Sequence, residues 1–480
     1  MRYNNQVKNS NFYLTTTLPY VNAEPHIGFA LEIVAGDVIT RYQRDILNKK
    51  VVFNTGTDEH GQKIYQKALE NNQEPQAYVD YYATKFEELK EILDLGYTNF
   101  IRTTDKNHVK AAQHFWELCN ENGYIYKKEY KTKYCVGCEL EKTDSELTDG
   151  CCPLHPNKDI EFREEENYFF KFSAFQQPLL DLYKDNPEFV KPDSKMKEIT
   201  AFVKNGLQDF SISRLKEKMP WGIQVPGDEN HVMYVWFDAL VNYISTLGWP
   251  DEKGEFADFW PGVQVAGKDN LRQQSAMWQA MLLAAGVSPS KQILINGFIS
   301  VDGQKMSKSI GNVISPREMV ARYGTDATRY LLMNLGPFGT DMDVSWEKFD
   351  VTYTAFLANG IGNLCSRVAK LCEKTQLHNT TQKPSIPIEY NDSLENSEIL
   401  TALKLTQNIQ DKLDKFFAEK QPWKQSPDEA EVTLLEAVTK IRLVATMISP
   451  FMPAIGQKIT NHFSQEKISA ITPLFPRLEK

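Results

Sequence analysis

The feature that most constrains the fold is a strand–helix–strand pattern near the start of the chain. Residues 11–17 and 50–56 are short runs rich in β-branched and aromatic residues, which predicts two strands. Between them, after the turn-rich segment 18–28, apolar residues recur every three or four positions, which predicts a helix with one buried face. Two strands joined by a helix imply a parallel, Rossmann-like sheet of the α/β class. The predicted buried face consists of Ala30, Ile33, Val34, Val38, Tyr42 and Ile46.

The start of this helix is a candidate anion site. In parallel sheets, ligands bind at the carboxyl ends of strands, where a helix N-terminus offers free N–H groups and a partial positive charge. His26 and Gly28 occupy that position. No G-x-x-x-x-G-K-[ST] occurs and no G-x-G-x-x-G follows the first strand, so a P-loop and a dinucleotide fingerprint are excluded. Gly360-Ile-Gly362 has no third glycine and no preceding strand, and we expect it to be a close helix packing site.

A second candidate anion site lies far downstream, at residues 302–312 (D-G-Q-K-M-S-K-S-I-G-N). The apolar run 293–301 before it predicts a buried strand, and Ser315-Pro316 after it predicts the start of a helix. Lys305 and Lys308 are therefore expected on a loop that can close over an anion. The alternative is an ordinary solvated basic loop.

Composition limits the classes of function. The chain has 480 residues, 41% of them hydrophobic and 24% charged, which is typical of a globular protein of about three domains. The formal net charge of −9 is opposite in sign to that of a dedicated nucleic-acid binder, so contacts with phosphate require local basic patches. No apolar run approaches the ~18 residues of a membrane span, and the N-terminus lacks an export signal. We therefore expect a cytoplasmic protein without a membrane partner.

The cysteines indicate a metal site. Four of the seven lie between 135 and 152, which in a reducing compartment favours metal binding over disulfides. The pairs Cys135-x2-Cys138 and Cys152-x2-His155 have the spacing of a tetrahedral zinc site with a closed shell, so one structural Zn²⁺ is expected. Cys152 is preferred to Cys151 because it preserves the two-residue gap. The alternative, a pair of buried thiols, is disfavoured by the polar residues between the two pairs.

Taken together, the two anion-site motifs resemble the class I aminoacyl-tRNA synthetases. His26-Ile-Gly-Phe29 is similar to their first signature, His-Ile-Gly-His, and K-M-S-K-S at 305–309 matches their second signature letter for letter. Further matches narrow the resemblance to methionyl-tRNA synthetases and extend it over essentially the whole chain. These are T-L-P-Y-V-N at 17–22, G-T-D-E-H-G at 56–61, I-S-R at 212–214, Y-V-W-F-D-A-L at 234–240 and A-G-K-D at 266–269.

The resemblance implies a two-step ligase reaction. ATP, with Mg²⁺, would activate L-methionine to methionyl-adenylate and pyrophosphate, and the terminal adenosine of initiator and elongator methionine tRNA would then take the methionine. Such chemistry depends on positioning and on stabilising charge on the leaving group. His26, Lys305 and Lys308 are the implied catalytic residues, with the lysines over the pyrophosphate. The other implied ATP-binding residues are Gly28, Arg214, Asp269, Met306, Ser307 and Ser309.

The resemblance also implies an aromatic-lined methionine pocket, which suits a flexible apolar side chain with a polarisable sulfur. Asp58 would bind the substrate ammonium. Without the resemblance, Trp236, Ala239, Leu240 and Tyr243 would be interpreted as the core face of a helix. The implied methionine-binding residues are Leu18, Tyr20, Asp58, Trp236, Ala239, Tyr243 and Asn296.

The sequence departs from the family pattern in three places. Phe29 stands where the first signature has its second histidine, and because a phenyl ring cannot donate a hydrogen bond, we expect it to pack beneath the nucleotide. Asn296 stands where the family usually has a histidine, and its amide can still form a hydrogen bond. Gln273-Gln274 replaces Phe-His, so from this region the resemblance implies a role for Asp269 alone, at the nucleotide ribose.

The last part of the chain predicts a helix bundle, because 353–374, 398–420 and 429–448 carry apolar residues at helical spacing. The resemblance implies that it binds the anticodon through Asn363, Arg367 and Trp423. Guanidinium and indole faces can stack on splayed bases; the alternatives are a solvated arginine and a capping tryptophan. Since the chain stops soon after the bundle, no further tRNA-binding domain is expected, and we expect a monomer.

Other functions fit less well. A catalytically dead paralogue is disfavoured by the intact His26 and loop lysines, although Phe29 keeps this alternative open. A leucine, isoleucine or valine enzyme would need a much longer editing insertion, and a cysteine enzyme would place zinc in its active site.

The expected domains are 1–118, the first half of a Rossmann-like catalytic domain; 119–229, an insertion with the zinc knuckle; 230–325, the second catalytic half; 326–350, a stem-contact linker; and 351–480, the helical anticodon-binding domain.

Overall fold

The protein is described by a computed structural model that covers residues 10–142, 146–306, 311–380, 382 and 384–478. The chain divides into two compact units. Unit 1 comprises the described parts of 1–24, 50–88 and 97–295, and unit 2 comprises the described parts of 25–49, 89–96 and 296–480. Two pieces of the predicted first catalytic half, 25–49 and 89–96, therefore group with the C-terminal part of the chain.

The described strands form four sheets. In chain order the strands are β1 (Asn11–Thr16), β2 (Lys50–Thr57), β3 (Asn99–Arg102), β4 (Ile125–Cys135), β5 (Leu140–Lys142), β6 (Ile160–Phe170), β7 (Val190–Lys191), β8 (Phe210–Ser211), β9 (Ser213–Leu215), β10 (Gln224–Val225), β11 (Asp228–Met233), β12 (Val263–Gly267), β13 (Gln292–Asn296), β14 (Ile299–Val301), β15 (Gln304–Lys305) and β16 (Met342–Val344).

The largest sheet confirms the predicted α/β class. Its order is β3-β2-β1-β12-β13-β7, and the pairs β3–β2, β2–β1, β1–β12 and β13–β7 are parallel. The strand order reverses beside β1, because β2 and β3 lie on one side of it and β12 and β13 on the other. At such a switch point the carboxyl ends of the strands border a crevice. The segments that follow β1, β2 and β12 therefore border the expected binding edge of unit 1.

Helices connect these strands and make up most of unit 2. They are α1 (Ile27–Arg41), α2 (Gln62–Glu70), α3 (Pro75–Glu87), α4 (Leu89–Ile92), α5 (Lys106–Glu121), α6 (Gln176–Asp185), α7 (Asp193–Lys204), α8 (Val235–Leu240), α9 (Asn242–Ser245), α10 (Glu255–Phe259), α11 (Trp278–Ala284), α12 (Pro316–Tyr323), α13 (Thr325–Met333), α14 (Trp346–Thr352), α15 (Asn363–Thr375), α16 (Ile388–Glu395), α17 (Ile399–Lys420), α18 (Pro427–Ile448) and α19 (Pro453–Phe463). Of the helices in the described ranges, none is both long and apolar enough to cross a membrane.

Two local predictions can be compared directly with the structure. The predicted helix start at Ser315-Pro316 is present: the Ser315 hydroxyl accepts a hydrogen bond from the Glu318 amide, and the Glu318 carboxylate accepts one from the Ser315 amide. The single strand predicted at 293–301 is wrong, because the run divides into β13 and β14 at Gly297. A Cβ atom at Gly297 would lie 2.0 Å from the Thr340 carbonyl oxygen, so the chain bends where another backbone segment approaches.

The insertion of unit 1 is built on a second sheet, of order β5-β4-β6-β8. Strands β4 and β6 pair antiparallel from Ile125↔Phe170 to Cys135↔Ile160. The turns at the far end of this ribbon, between Cys135 and Ile160, carry the predicted metal ligands. The ribbon thus presents them on a compact knuckle.

Unit 2 contains a fully buried ion pair. Arg329 on α13 and Asp37 on α1 have no exposed side-chain surface, and Nη2 of Arg329 lies 2.7 Å from Oδ2 of Asp37. The guanidinium also donates to the carbonyl oxygens of Leu93 (3.0 Å), Pro450 (2.9 Å) and Phe451 (2.9 Å). Because all its nitrogens are used, the pair joins α1, the 89–96 segment, α13 and the turn before α19.

The buried pair predicts a large and specific effect on stability. Arg329→Met should lower the free energy of unfolding by about 3–5 kcal/mol, because it removes one of the two arginines that pair with the buried Asp37 carboxylate and leaves three buried carbonyl oxygens without their donor. Arg322→Met is the matched control: Arg322 pairs with Asp350 at 2.5 Å, but both side chains are partly exposed, so the loss should be about 1 kcal/mol or less. Denaturant unfolding measures both. Equal losses would contradict the assigned role of the buried pair.

Candidate functional site

The binding edge of unit 1 is formed by the segments that follow β1 and β2. The Asp58 amide donates to the Pro19 carbonyl oxygen at 3.0 Å, and the Val21 amide donates to the Asp58 carbonyl oxygen at 3.3 Å. These bonds continue the parallel pairing beyond the strands, so that Tyr20 and Asp58 lie side by side. The structure therefore brings together two residues that were predicted to bind methionine.

Aromatic rings line this edge. Tyr20 meets Trp236 edge to face, with ring centroids 6.1 Å apart and planes at 74°. Trp236 and the buried Ala239 lie on α8, the buried Tyr243 on α9, and the half-buried Leu18 follows β1. All five of these predicted residues belong to unit 1.

Several polar atoms of these residues are buried without a partner. Within the described ranges, Tyr20 Oη, Asp58 Oδ1 and Trp236 Nε1 form no hydrogen bond. Buried polar atoms are nearly always paired, and an exception needs an explanation. A ligand with hydrogen-bonding groups beside an apolar body would satisfy them, which is the chemistry of an amino acid such as methionine.

The charge around Asp58 favours a cationic ligand group. Burial raises the pKa of the Asp58 carboxyl well above its usual value, and the nearby carboxylates of Asp238 and Glu139 raise it further. A cation placed beside it would favour the ionised form. An ammonium group therefore matches this corner of the site.

Three residues that form buried hydrogen bonds near the predicted methionine pocket, His60, Asp238 and Gln274, were not among the predicted site residues. His60 Nδ1 lies 3.0 Å from Asp238 Oδ2 in the interior of unit 1. Gln274 Nε2 donates to the Tyr243 hydroxyl at 2.6 Å. His60 and Asp238 lie inside the motifs G-T-D-E-H-G and Y-V-W-F-D-A-L, and Gln274 lies where the sequence departs from the family pattern. These motifs therefore marked the positions of the supporting residues, although not their role.

The first signature caps α1 in unit 2. His26 is the N-cap residue, and its Nδ1 accepts a hydrogen bond from the Gly28 amide at 3.0 Å. A Cβ atom at Gly28 would lie 2.7 Å from His26 Cε1 and 3.6 Å from Met306 Cε. The structure thus brings Met306 of the second signature to the first, at a helix N-terminus suited to phosphate. Phe29 is half-buried on the same turn.

The rest of the second signature is described in part. Lys305 is exposed at the end of β15, with Nζ 6.0 Å from the Phe298 ring centroid. Ser307, Lys308 and Ser309 lie outside the described residues. Asn296, the last residue of β13, is buried, and its Nδ2 donates to the Gly297 carbonyl oxygen at 3.2 Å.

Two predicted ATP-binding residues lie in unit 1. Asp269 is exposed in the turn that follows β12, the strand next to β1. Arg214 is buried: its guanidinium lies between the rings of Tyr134 (5.1 Å) and Tyr234 (4.6 Å) and donates to the Ser211 hydroxyl at 2.8 Å. These are internal contacts of unit 1, and the role of Arg214 toward ATP stays a prediction.

The structure gathers the four predicted metal ligands. The ligand atoms of Cys135, Cys138, Cys152 and His155 all lie within 4.8 Å of one another. Cys138 Sγ is 3.4 Å from Cys152 Sγ and 3.2 Å from His155 Nδ1. These separations are close to the roughly 3.8 Å edge of a tetrahedron with metal–sulfur bonds of about 2.3 Å. The cluster can hold a metal ion such as zinc.

The surroundings of the cluster fit a closed structural site. A Cβ atom at Gly137 would lie 2.5 Å from His155 Cγ, so the first turn leaves room for the imidazole because it contains glycine. Cys151 is outside the cluster and pairs through its backbone with Thr148. Four protein ligands leave no open position for catalysis.

The predicted anticodon residues lie at one end of the helices of unit 2. Asn363 begins α15 and is exposed, and Arg367 follows one turn later. The Arg367 guanidinium lies 5.5 Å from the Phe417 ring centroid, and Trp423 meets the same ring at 6.1 Å. Trp423 is 48% exposed, so about half of its surface is accessible to a partner.

The comparisons with known proteins agree along the chain. The family model described as tRNA synthetases class I (M) matches residues 12–160 and 144–369. The methionine–tRNA ligase of Thermosynechococcus vestitus is 39% identical over 94% of this chain and 89% of its own length. The chloroplastic/mitochondrial methionine–tRNA ligase of Arabidopsis thaliana is 38% identical over 96% of this chain and 79% of its own.

Solved structures give the same result. Mycobacterium tuberculosis methionyl-tRNA synthetase in complex with methionyl-adenylate matches with a TM-score of 0.91 and 32% identity, covering 97% of this chain and 100% of that one. The apo form of the same enzyme matches with a TM-score of 0.83 and 28% identity, over 98% of each chain. With the sheet, the signatures and the metal cluster described above, these matches show that the chain belongs to the methionyl-tRNA synthetases, a family of class I aminoacyl-tRNA synthetases.

Proposed function

We propose that this chain is a methionine–tRNA ligase whose two steps are carried out by the residues described above. It activates L-methionine with ATP to methionyl-adenylate and pyrophosphate, and then transfers the methionine to the 3′-terminal adenosine of initiator and elongator methionine tRNA. The observation that carries the proposal is the TM-score of 0.91, over 97% of the chain, with a synthetase in complex with methionyl-adenylate. We propose that the enzyme acts in the cytoplasm as a monomer.

Methionine binds at the edge of unit 1. The Asp58 carboxylate takes the ammonium group, and the unpartnered Tyr20 hydroxyl and Trp236 indole N–H are available to the polar end of the substrate. Leu18, Ala239 and Tyr243 form the apolar wall. Asn296 offers a buried amide oxygen without a partner in the described structure, which supports a polar contact in place of the histidine of the family.

ATP binds through the two signatures. His26 and the N-terminus of α1 hold the phosphates, and the close approach of Met306 to Gly28 supports a shared site for both signatures. Lys305 and Lys308 stabilise the negative charge that grows on the departing pyrophosphate. Asp269 holds the ribose, and Phe29 packs beneath the nucleotide. Arg214, Ser307 and Ser309 contribute further contacts to ATP. Mg²⁺ bound with ATP would further neutralise the charge of the phosphates.

The metal cluster holds one zinc ion with a structural role. Three thiolates and one imidazole are ligands that zinc prefers, and the knuckle has little apolar core of its own. A bound ion would therefore stabilise the turns between β4 and β6.

Asn363, Arg367 and Trp423 read the anticodon, with the partly exposed Trp423 indole as a stacking platform.

The zinc assignment predicts different effects of two adjacent cysteines. Cys152→Ser should lose the bound zinc or destabilise the insertion, because Cys152 Sγ belongs to the cluster. Cys151→Ser should retain one zinc per chain. Metal analysis of the two purified variants distinguishes them, and the reverse result would show that the second ligand pair is misassigned.

The anticodon assignment predicts a split between the two reaction steps. Trp423→Ala should weaken charging of methionine tRNA roughly tenfold to a hundredfold, because a base stack is typically worth ~1–3 kcal/mol. Methionine-dependent exchange of pyrophosphate into ATP should be unchanged. Kinetics of charging and of exchange on one preparation, together with a melting curve, measure this split.

Val432→Ala is the control, since Val432 is also exposed on a helix of unit 2 but lies outside the predicted anticodon residues. It should leave both reactions unchanged. If Trp423→Ala lowers both reactions and the melting temperature together, Trp423 is a packing residue, and if charging is intact the anticodon role is wrong.

A further inference from the structure

Glu139, the residue directly after the metal ligand Cys138, has an unusual backbone conformation. Its φ is +51°, and its side chain is almost completely buried, with 1% of the residue exposed. For a residue with a Cβ atom this left-handed conformation costs roughly 1–2 kcal/mol, and glycine or asparagine adopts it more easily. A glutamate at this position therefore indicates that its side chain has a role.

The Glu139 side chain caps α2 from outside that helix. Its Oε1 accepts a hydrogen bond from the Lys63 amide at 2.7 Å, in the first turn of α2. The N-cap residue of that helix, Gly61, has no side chain to do this, and a Cβ atom there would lie 2.8 Å from Glu139 Oε2. Glu139 thus replaces the missing cap immediately after the segment that carries Asp58.

Glu139 reaches two further segments that carry predicted methionine-binding residues. Its carbonyl oxygen accepts a hydrogen bond from the Tyr234 hydroxyl, directly before Trp236 and α8. Burial raises the pKa of Tyr20, and the Glu139 carboxylate is the next cause, so the two groups are neighbours. Tyr20 Oη and Glu139 Oε2 are both buried and have no hydrogen-bond partner in the described part of the chain.

We propose that Glu139 is a positioning residue that fixes the methionine-binding geometry of three segments, 17–22, 56–61 and 234–240, from the metal knuckle. The inference rests on the proposed function. It adds a role for the knuckle. Cys138 would be held in place as a metal ligand, its neighbour Glu139 would be held with it, and Glu139 positions the segments that carry Tyr20, Asp58 and Trp236. Methionine affinity therefore depends on a residue that the substrate does not touch.

The physical expectation is a selective loss of methionine binding. Without the carboxylate, the Lys63 amide loses its acceptor, and the three segments lose a shared contact. A displacement of about 1 Å at a binding site can reduce activity by about a hundredfold. The signatures assigned to the ATP phosphates lie in unit 2, which contains none of these three segments.

The test compares Glu139→Ala and Glu139→Gln with Asp159→Ala, which removes an exposed carboxylate from the same knuckle. Three quantities are measured on the zinc-loaded chain: zinc content, the Kd of methionine by calorimetry without ATP, and the KM values of methionine and ATP in pyrophosphate exchange. For Glu139→Ala we expect one zinc per chain, a methionine Kd raised about tenfold or more, and a KM for ATP within about twofold of the unaltered chain. Asp159→Ala should match the unaltered chain.

Glu139→Gln retains an acceptor for the Lys63 amide and should give a methionine Kd between those of the unaltered chain and Glu139→Ala. Unchanged methionine binding in Glu139→Ala, or an equal rise of both KM values, would overturn the inference. If Glu139→Ala does not fold, unchanged methionine binding in Glu139→Gln overturns it. If the unaltered chain itself does not bind methionine, the proposed function fails; if it binds and the variants bind equally well, this inference alone fails.

Discussion

The reversal of strand order beside β1 is the constraint on which the site of unit 1 depends. Because β2 and β12 flank β1 in a parallel sheet, the carboxyl ends of all three strands meet at one edge. Tyr20 follows β1, Asp58 follows β2, and Asp269 follows β12. The strand order therefore places these residues, which are distant in sequence, at the same edge of the sheet. The loops that carry them need no regular structure of their own.

Two sets of buried polar groups in the protein differ in how they are satisfied. In unit 2 the Arg329 guanidinium and the Asp37 carboxylate satisfy each other and the surrounding backbone, which favours a single arrangement of the helices. In unit 1 one side-chain atom each of Tyr20, Asp58 and Trp236, namely Oη, Oδ1 and Nε1, stays without a hydrogen-bond partner among the described residues. Satisfied buried groups specify structure, whereas unsatisfied ones remain available to a ligand. The Arg329–Asp37 pair is therefore structural, whereas the unpartnered atoms of Tyr20, Asp58 and Trp236 are candidates for contact with a ligand.

The sequence predicts what depends on local spacing. The first strand–helix–strand unit, the helix cap at Ser315 and the grouping of the four metal ligands follow from periodicity, capping chemistry and ligand gaps. The sequence does not predict contacts that only the tertiary fold creates. The bend at Gly297 is imposed by the Thr340 backbone, and Glu139 accepts a hydrogen bond from the amide of Lys63, 76 positions away. The grouping of 25–49 with the C-terminal part of the chain likewise has no local signal. For Trp236 and Tyr243, only the family resemblance predicts a substrate role, because their periodicity is that of ordinary core and Tyr243 packs in the hydrophobic core of unit 1.

The central claim is that the chain activates methionine, and the most direct test is pyrophosphate exchange into ATP with a panel of amino acids. The account predicts exchange that depends on methionine and is at least about a hundredfold weaker with leucine, isoleucine, valine and cysteine, because their shapes or polarity do not match an aromatic-lined pocket for a long thioether. Exchange that requires a different amino acid, or none with methionine while ATP and Mg²⁺ are present, would contradict it.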